Sequence, residues 1–561
     1  MSDTKWIVSP VPFKEDIETL STENNVSRLI AAILCSRGLN SKEAAVFLKA
    51  DIKDMHNPFL FKGMDKAVAR IKKAVTEKQK IVVYGDYDVD GVTATTVLVS
   101  CLKKLGADVD FYIPSRDKEG YGINNESVEK MAKVGVKLIV TVDCGITAIA
   151  ECEYAKSLGV DLIITDHHEC GGSVPNAVAA IDTKQPDCTY PFKDLAGVGV
   201  AFKVAQALLQ DKYTKTQILD MYSELVTIGS IADIVPLLGE NRIICKYGLE
   251  KLSKTKNVGI NALLNVAGID KNEIDTFKIG YAVAPRINAA GRIGGAEKAV
   301  ELFTETDIAK AEKIAIELDG SNIKRQQIEA EIFKAAEKQL LDFYAEDKIV
   351  VLADKDWHHG VVGIVSSRLA KKYLKPCILI SEGPDGKYKG SGRSVEGFSL
   401  YNALEYSKAT LVSFGGHELA AGLVIEEADI DAFRRKINEY AENNFNGDFS
   451  GKIVADLELR ERHLNIEVAR SLGILEPYGT DNKQPVFYIE GLTVMKVSRV
   501  GASKQHLRLS LKKGNSTIDA VAFGFGDYNV SFNDTINVMC NLDINSFRDM
   551  ENVQLKILDI K

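Results

Sequence analysis

The sequence lacks the features of a secreted, membrane-spanning or disulfide-stabilised protein. Its nine cysteines are scattered, odd in number and without a CxxC pair, which argues against a disulfide framework or a thiolate zinc site and favours a reducing cytoplasm. No apolar run reaches the roughly 18 residues that span a bilayer, so we expect no membrane contact. The first residues show no basic region followed by an apolar stretch, and we expect no secretory signal.

Composition gives no support to a uniformly basic nucleic-acid binder. The chain has 561 residues, 45% of them hydrophobic, and a net charge of −8, which fits a globular protein of three to four domains. Residues 496–513 differ, because they carry bases and no acid. The bases are Lys496, Arg499, Lys504, Arg508, Lys512 and Lys513. This basic stretch is either a solvated hairpin or a path for a nucleic-acid backbone.

The hydrophobic pattern predicts an α/β protein that ends in a small β-barrel. Five strands alternate with helices, which is typical of a mostly parallel sheet. The predicted strands are 81–84, 109–113, 138–142, 162–165 and 178–181. A helix over 92–105 follows the first strand, a long helix with a kink at Gly320 connects to a second α/β block, and alternation at 506–511 before a turn at 513–515 predicts the barrel.

Three of the predicted strands lead into acids or imidazoles at their carboxyl ends. In an open α/β sheet, that edge is where ligands bind. Carboxylates together with imidazole suit Mg²⁺ or Mn²⁺. The pattern therefore predicts a metal site. The residues that follow the three strands are Asp86, Asp88 and Asp90, then Asp143, then Asp166, His167 and His168.

Each acidic motif also has a plainer interpretation when it is taken alone. An isolated DxDxDG segment is as often an exposed acidic turn, although an EF-hand is excluded because 93–95 lack the spaced ligands. In an extended segment, Asp86, Asp88 and Asp90 would share one side, where a cation must offset their repulsion. Asp233, amid the apolar run 229–236, is either a helix-end cap or a further ligand. Taken together, the acids favour the metal site.

In this order, the motifs DxDxDG, VDCG, DHH and ADIVP resemble the four signatures of the DHH phosphoesterase superfamily. Further runs resemble the RecJ family of single-stranded-DNA-specific exonucleases. They are residues 284–292, 358–364, 391–394 and 415–422, so that the resemblance extends over roughly residues 60 to 540.

The resemblance implies five parts: an N-terminal extension (1–60), a DHH phosphoesterase domain (61–300), a connecting helix (301–345), a DHH-associated α/β domain (346–445) and an OB-type barrel (446–561). It also implies 5′→3′ hydrolysis of single-stranded DNA to mononucleotides in recombination and repair. Two Mn²⁺ or Mg²⁺ ions are the expected cofactors. A monomer is expected, with a helicase and a single-strand-binding protein as candidate partners.

The resemblance also assigns roles to single residues. The metal ligands are Asp88, Asp90, Asp143, His167 and Asp233, with Asp86 as a further candidate. Asp143 is expected to bridge the two ions, and His168 to contact the scissile phosphate. Tyr84 stands where superfamily members with two firmly bound metals carry histidine, which leaves the strength of the first metal site open.

A second set of residues is predicted to bind the substrate. The set comprises Arg286, Asn288, Arg292, Ser391, Arg393 and His417. Arginine binds phosphate bidentately, and nearby glycines permit close approach to a ligand; a surface salt bridge is the alternative for each arginine. His358 and His359 are interpreted as substrate-facing or structural residues rather than metal ligands.

Two rival functions remain at this stage. One is a DHH phosphodiesterase for short oligoribonucleotides or cyclic dinucleotides, against which the predicted barrel argues. The other is an inactive RecJ-like scaffold in a replication assembly, which the complete set of expected ligands disfavours.

Overall fold

The structure, a computed structural model, describes residues 4–116, 119–383, 386–445, 451–547 and 550–561. The chain divides into two compact units. The barrel unit comprises Met1–Met55, Pro236–Lys246 and Gly451–Lys561, and the catalytic-side unit comprises His56–Val235 and Tyr247–Ser450. Within the described residues, no helix combines the length and the apolarity needed to cross a membrane.

The N-terminal segment is mostly helical. Its elements are β1 (Lys5–Val8), α1 (Lys14–Asn24), α2 (Arg28–Ser36) and α3 (Ser41–Lys49). The Ser27 side chain caps α2, and Asn40 with Glu43 forms a capping box at the start of α3, so that the free backbone N–H groups of both helices are satisfied locally.

The first sheet and its helices follow. They are α4 (Met64–Thr76), β2 (Lys80–Gly85), α5 (Val89–Lys104), β3 (Val109–Tyr112), α6 (Asn125–Lys133), β4 (Val136–Val142), α7 (Ile149–Ser157), β5 (Asp161–Thr165), β6 (Ala179–Ile181), α8 (Gly197–Leu209) and α9 (Lys215–Ala232). The five predicted strands are thus present, and all pair in parallel in the order β3-β2-β4-β5-β6.

The order of this sheet reverses between β2 and β4. The chain crosses from β2 to β3 on one side and returns to β4 on the other side of β2. The carboxyl ends of β2 and β4 therefore form a topological switch point, where a crevice for a ligand opens. Both strands are almost entirely buried, because helices cover the two faces of the sheet.

The helix after β2 begins earlier than predicted. We expected residues up to Asp90 to be extended and the helix to start at Val92, but α5 starts at Val89. Asp88 is its N-cap, and the carboxylate accepts a hydrogen bond from the Gly91 N–H at 3.0 Å. Aspartate favours this position and the first helical turn, so the prediction of three acids along one side of an extended segment was wrong.

A set of helices follows and contains the long connector; the first of them begins in the barrel unit and passes into the catalytic-side unit at Tyr247. They are α10 (Gly239–Leu252), α11 (Val258–Val266), α12 (Thr276–Lys278), a π-helical turn (Ile279–Val283), α13 (Ala284–Ile293), α14 (Glu297–Thr304) and α15 (Ile308–Phe343). The predicted connector is the 36-residue helix α15, which continues through Gly320, where we expected a kink.

The second sheet is mixed. Its elements are β7 (Val350–Ala353), α16 (His359–Tyr373), β8 (Cys377–Glu382), β9 (Tyr388–Arg393), α17 (Leu400–Tyr406), β10 (Ser413–Gly416), β11 (Ala420–Ile425) and α18 (Ile430–Asn444). The strand order is β10-β11-β9-β8-β7, with only β7 and β8 parallel.

The last elements form a closed barrel. They are β12 (Lys452–Ala455), β13 (Leu457–Glu458), α19 (Ile466–Ser471), β14 (Phe487–Val500), β15 (His506–Lys513), β16 (Ser516–Ala522), β17 (Thr535–Phe547) and β18 (Met550–Ile560). The order β14-β15-β16-β18-β17 closes where β17 pairs again with β14. The predicted hairpin between β15 and β16 turns at Gly514.

The N-terminal segment that we predicted as an extension shares the hydrophobic core of this barrel. Ile30, Ile33 and Leu34 of α2 are buried in the same cluster as barrel residues such as Leu509 and Val538. In addition, β1 pairs in parallel with β12. The apolar face of α2 explains the arrangement, because it must be buried against another element.

Arg242 connects separate parts of the barrel unit. Its side chain is fully buried, with 1% of the residue exposed, and its guanidinium lies 3.7 Å from the centre of the Phe47 ring. The guanidinium donates hydrogen bonds to the carbonyls of Phe47 at 2.8 Å, Leu475 at 3.0 Å and Glu476 at 2.8 Å. Burial lowers its pKa to about 10, so Arg242 remains charged at neutral pH.

We predict that Arg242→Ala lowers the free energy of unfolding of the barrel unit by about 3 kcal/mol, because it leaves buried carbonyls without donors. Urea denaturation followed by circular dichroism measures the change. Arg28→Ala, which removes an exposed partner of Glu18, is the control and should change stability by less than about 1 kcal/mol. Equal effects of the two substitutions would contradict the role of Arg242.

Candidate active site

The switch point of the first sheet collects the predicted acids. Asp86 follows β2, Asp88 and Asp90 lie at the start of α5, and Asp143 follows β4 in the left-handed region with φ 60°. This conformation is unusual for a residue other than glycine. Asp143 adopts it at the carboxyl-terminal edge of the sheet, where the crevice opens. Asp86, Asp90 and Asp143 are buried.

Among the described residues, these side chains form three groups of possible ligand atoms, and Asp143 belongs to two of them, one of which it forms with His167 and His168. Oxygens of Asp86, Asp88 and Asp143 lie within 4.8 Å of one another, and so do ligand atoms of Asp90, His167 and Asp233. The His167 Nε2 atom lies 3.1 Å from Asp143 Oδ1, so Asp143 stands between the groups. The same Nε2 atom lies 3.7 Å from both Asp90 Oδ2 and Asp233 Oδ2. Two cations that share Asp143 fit this arrangement.

The start of α8 orients the ligands of this site. The Asp90 carboxylate accepts hydrogen bonds from the backbone N–H groups of Gly197 at 2.6 Å and Val198 at 2.8 Å. A Cβ atom on Gly197 would lie 2.6 Å from the Cβ of Asp143, so only glycine lets the helix come this close. The N-terminus of α8 therefore holds the Asp90 carboxylate in place and limits the space beside the Asp143 side chain.

The buried carboxylates lack the partners that would balance their charge. Among the described residues, Asp86 Oδ1 has no hydrogen-bond partner, and Asp143 Oδ1 has none beyond the contact with His167 Nε2 at 3.1 Å. Burial, with repulsion from neighbouring aspartates, raises the pKa of Asp86 and of Asp143 well above the usual value. The same causes raise the pKa of Asp90 to about 7 and that of Asp233 to about 9. Crowded carboxylates of this kind fit divalent cations, which would hold them ionised.

The two histidines after β5 differ in charge state. Burial, together with the neighbouring His168, lowers the pKa of His167 to about 4, so His167 is neutral and offers a lone pair to a metal. Burial also opposes protonation of His168, but its 2.7 Å hydrogen bond to Asp166 outweighs burial and raises the pKa of His168. His168 is therefore the more readily protonated of the pair.

Tyr121 and Arg116 lie near these residues, although we named neither from the sequence, and Asp166, which the strand-end pattern included, lies there as well. Asp166 accepts hydrogen bonds from the backbone of Ile146 at 2.9 Å and from the ring of His168. The Tyr121 hydroxyl contacts both the Asp143 carbonyl and the His168 ring. Tyr121 and Arg116 follow β3, so the rule that strand ends meet at one edge could have identified them.

Arginines from both sheets of this unit form a positive cluster. Burial, with the charges of Arg116 and Arg393, lowers the pKa of Arg292 to about 10, and burial with the charge of Arg116 lowers the pKa of Arg393. Arg393 lies 3.4 Å from the Ser391 hydroxyl, and Arg292 donates to the Gly360 carbonyl at 2.9 Å. Guanidinium groups brought together in this way suit a bound phosphate.

The other predicted substrate residues lie in different surroundings. Arg286 is ion-paired with Asp319 of α15 at 2.8 Å, so the structure gives it a partner other than a phosphate. Asn288 accepts a hydrogen bond from the Val89 N–H at the start of α5. His417 is exposed in the turn before β11. His358 caps α16 and stacks on His359, and neither histidine belongs to a possible metal group among the described residues.

The basic stretch lies on the barrel. It forms the end of β14, the following turn and β15. Lys496, Lys504, Arg508 and Lys512 are exposed, and Arg508 also pairs with Asp519 at 3.2 Å. The Arg499 guanidinium donates to the Gly526 carbonyl at 2.7 Å, so that its position is tied to the barrel backbone.

Comparison with known proteins assigns the chain to a family. Three family models match: the DHH family N-terminal domain over residues 80–230, the DHHA1 domain over 346–443 and the RecJ OB domain over 455–559. The single-stranded-DNA-specific exonuclease RecJ of Bacillus subtilis is 38% identical over 563 residues, which cover 100% of this chain and 71% of that protein. The protein of the same name from Escherichia coli is 33% identical and covers 98% of each chain. The chain belongs to the RecJ family.

Solved RecJ structures agree with the fold. The crystal structure of RecJ from Thermus thermophilus in complex with Mn²⁺ matches with a TM-score of 0.87 at 31% identity, and covers 100% of this chain and 79% of that one. The complex with Mg²⁺ matches with a TM-score of 0.80 at 28% identity, and covers 100% and 78%. The predicted fold class and the family resemblance are thus confirmed, whereas the assigned domain boundaries and site residues stay predictions.

We predict that the metal-free protein loses stability as pH rises from about 5 to 9. The folded-state pKa values of about 7 for Asp90 and about 9 for Asp233 exceed the unfolded value near 4, so protons that stabilise the folded state are lost over this range. Calorimetry in EDTA should show the melting temperature falling with pH. Mn²⁺ should largely abolish this decrease in melting temperature, because the cation replaces those protons.

The Asp233→Asn variant is the control for this measurement. In EDTA its melting temperature should depend less on pH than that of the unsubstituted protein, because one of the groups with a raised pKa is gone. An unchanged pH dependence would show that Asp233 does not carry the effect.

Proposed function

We propose that this chain is a metal-dependent exonuclease that hydrolyses single-stranded DNA from the 5′ end and releases 5′-mononucleotides. The observation that carries the proposal is the pair of ligand groups that share Asp143, at a sheet switch point, with the arginine cluster of the same unit supplying phosphate-binding side chains. Membership of a family whose characterised relatives are named single-stranded-DNA-specific exonucleases supports it. We further propose a role in DNA recombination and repair.

The proposed cofactors are two Mn²⁺ or Mg²⁺ ions. The donor set of five carboxylates and one imidazole accepts either ion, and Thermus thermophilus RecJ has been solved with each of them. When bound, such a pair supplies an activated water and neutralises charge on the phosphate. We assign Asp86 and Asp88 to one ion, Asp90, His167 and Asp233 to the other, and Asp143 to both.

His168 and Asp166 handle the scissile phosphate in this proposal. Asp166 is itself held by backbone N–H groups, since it accepts from Ile146, His167 and His168. It therefore fixes the ring of His168 and favours the protonated imidazole. A protonated His168 would donate a hydrogen bond to a non-bridging phosphate oxygen and stabilise the charge that grows there during in-line attack.

The arginine cluster sets the polarity of the reaction in this proposal. Besides burial, the charges of Arg116 and Arg393 lower the pKa of Arg292, and the charge of Arg116 lowers the pKa of Arg393. An anion bound between the three arginines would relieve this repulsion. A terminal 5′-phosphate carries up to two charges and exposes three oxygens, more than a phosphodiester offers. The Ser391 hydroxyl, 3.4 Å from Arg393, would add a further hydrogen bond.

The barrel and the cellular setting complete the proposal. The basic stretch would follow the backbone of a long strand and raise the affinity of the enzyme for single-stranded DNA.

We propose that the protein works as a monomer in the cytoplasm, with a helicase and a single-strand-binding protein as partners. No disulfide joins any of the nine cysteines, all of which lie in described residues, and this supports a reducing compartment.

We predict that Arg393→Ala lowers kcat/KM on 5′-phosphorylated single strands by about 10- to 100-fold, because a charge-assisted contact to the terminal phosphate is lost. Strands with a 5′-hydroxyl should be affected by less than threefold. The measurement is nucleotide release with Mn²⁺ from 5′- and 3′-labelled oligonucleotides, whose order of release also reports polarity.

Two further variants serve as controls for that experiment. Asp143→Asn should abolish hydrolysis on every strand, since both ligand groups lose a shared carboxylate. Arg286→Ala, which removes a pair with Asp319 rather than a cluster arginine, should affect strands with and without the 5′-phosphate equally. Release from the 3′ end, or full activity of Asp143→Asn with contamination excluded, would refute the proposed reaction.

We predict that replacing Lys504, Arg508 and Lys512 together by alanine weakens binding to long single strands. Each lost phosphate contact should flatten the slope of log K against log salt by about 0.7. Fluorescence anisotropy with a long oligonucleotide at several salt concentrations measures this slope. Turnover at saturating substrate should be retained.

The matched control replaces Lys42, Lys49 and Lys53, which are equally exposed in the same unit but lie outside the barrel. This variant removes the same number of charges and should keep the salt slope. If both triple variants lose affinity alike, the effect reflects net charge, and the basic stretch is only a solvated hairpin.

A further inference from the structure

Phe277 and Tyr281 form an exposed aromatic platform in the catalytic-side unit. Their ring centres are 4.5 Å apart and their planes differ by 30°, so the rings are stacked. They are 61% and 72% exposed, although burial of aromatic surface is normally favourable. Two large flat side chains that pack on each other and face solvent indicate a binding surface.

The backbone under the platform has an unusual form. The chain runs through a π-helical turn at Ile279–Val283, closed by the hydrogen bond from the Ala284 N–H to the Ile279 carbonyl. Pro285 follows, and its ring would crowd the carbonyl of Tyr281 in a regular α-helix. The wider turn accommodates the proline, and turns of this kind occur frequently at functional sites.

Arg286 holds this turn in place. Its guanidinium donates to the Ala282 carbonyl within the turn at 2.7 Å and to Asp319 of α15 at 2.8 Å. The arginine that resembled a phosphate ligand therefore supports the platform.

The platform lies beside the helix that carries a proposed metal ligand. Gly280 faces α9, where an added Cβ atom would lie 3.8 Å from Cγ2 of Ile231. Ile231 precedes Asp233 by two residues. The next residue, Ile234, adopts φ 62° and is 71% exposed, which is rare for a β-branched side chain. The end of α9 therefore presents apolar surface next to the platform.

The surroundings of the platform favour a base over a phosphate. Asp275 accepts a hydrogen bond from the Lys278 N–H, and Glu273 pairs with the Lys278 ammonium at 2.8 Å. With this lysine neutralised, the segment offers no excess positive charge to a DNA backbone. Aromatic faces stack on any nucleobase, and such stacking does not require a phosphate contact.

We propose that Phe277 and Tyr281 stack with a nucleobase of the single strand whose backbone is held at the metal centre. This inference rests on the proposed function, because it takes single-stranded DNA as the ligand. The platform would position the strand for hydrolysis without touching its phosphates. Its contribution to affinity should therefore be independent of salt.

The test uses 5′-phosphorylated oligodeoxythymidylates with one 2-aminopurine at successive positions, bound to the full chain in EDTA, where no strand is hydrolysed. Stacking should quench the fluorescence at one position or at two adjacent positions. Phe277→Ala with Tyr281→Ala should abolish that quenching. Phe277→Tyr with Tyr281→Phe should retain it, because both rings remain.

Kinetics with Mn²⁺ give a second measurement. The double alanine variant should raise KM by about tenfold or more and leave kcat within threefold, with an unchanged salt slope of binding. Phe343→Ala removes an aromatic of similar exposure, 73%, from the end of α15 and should change neither parameter.

The outcomes separate this inference from the proposed function. Quenching that survives the double alanine substitution, or an equal effect of Phe343→Ala, would overturn the platform while the nuclease activity stands. Platform-dependent quenching by a protein that releases no nucleotides would keep the platform and refute the nuclease. A loss confined to binding of another protein, with DNA binding intact, would also overturn the inference.

Discussion

Repulsion among buried carboxylates is the constraint on which the catalytic-side unit is built. Asp86, Asp90 and Asp143 are brought together because parallel strands end at one edge and because α5 and α8 begin there. The fold supplies few hydrogen bonds to offset their charge, and their pKa values rise accordingly. The scaffold must therefore be rigid enough to hold ionised groups close until cations neutralise them. Glycine at position 197 is part of that rigidity, since it lets α8 pack directly on Asp143.

The carboxylates and two of the three cluster arginines come from different parts of this unit, although the third arginine, Arg116, follows β3 of the first sheet. The first sheet concentrates carboxylates, whereas Arg393 comes from β9 of the second sheet and Arg292 from α13, next to the connector α15. The start of α16 packs closely on the end of α13, because a Cβ atom on Gly360 would lie 2.8 Å from the Arg292 carbonyl. In the proposed reaction, a phosphate would contact the arginines directly and the carboxylates through the bound cations.

The hydrophobic pattern and the topology of the parallel sheet determine which elements and residues could be predicted from the sequence. The strands were predictable because they are buried on both faces, and their carboxyl ends identified Asp143 and His167 without a structure. The start of α5 at Val89 was missed because we took the residues up to Asp90 as extended, whereas Asp88 caps the helix. The pairing of Arg286 with Asp319 depends on how α13 packs against α15, which no spacing along the chain reveals. Tyr121 was missed for a different reason, since it lies nine residues beyond the end of β3 and is neither an acid nor a histidine.

The barrel unit imposes an order on folding during synthesis. Its first helices lie before residue 56, but the strands that complete their core begin after residue 450. At roughly 5–20 residues per second, a ribosome needs on the order of 20–80 s to make the intervening stretch of about 400 residues. During that time the apolar face of α2 has no barrel to bury it, whereas the sheet that carries the proposed metal ligands can form. The catalytic-side unit can thus fold on the ribosome before the barrel is complete.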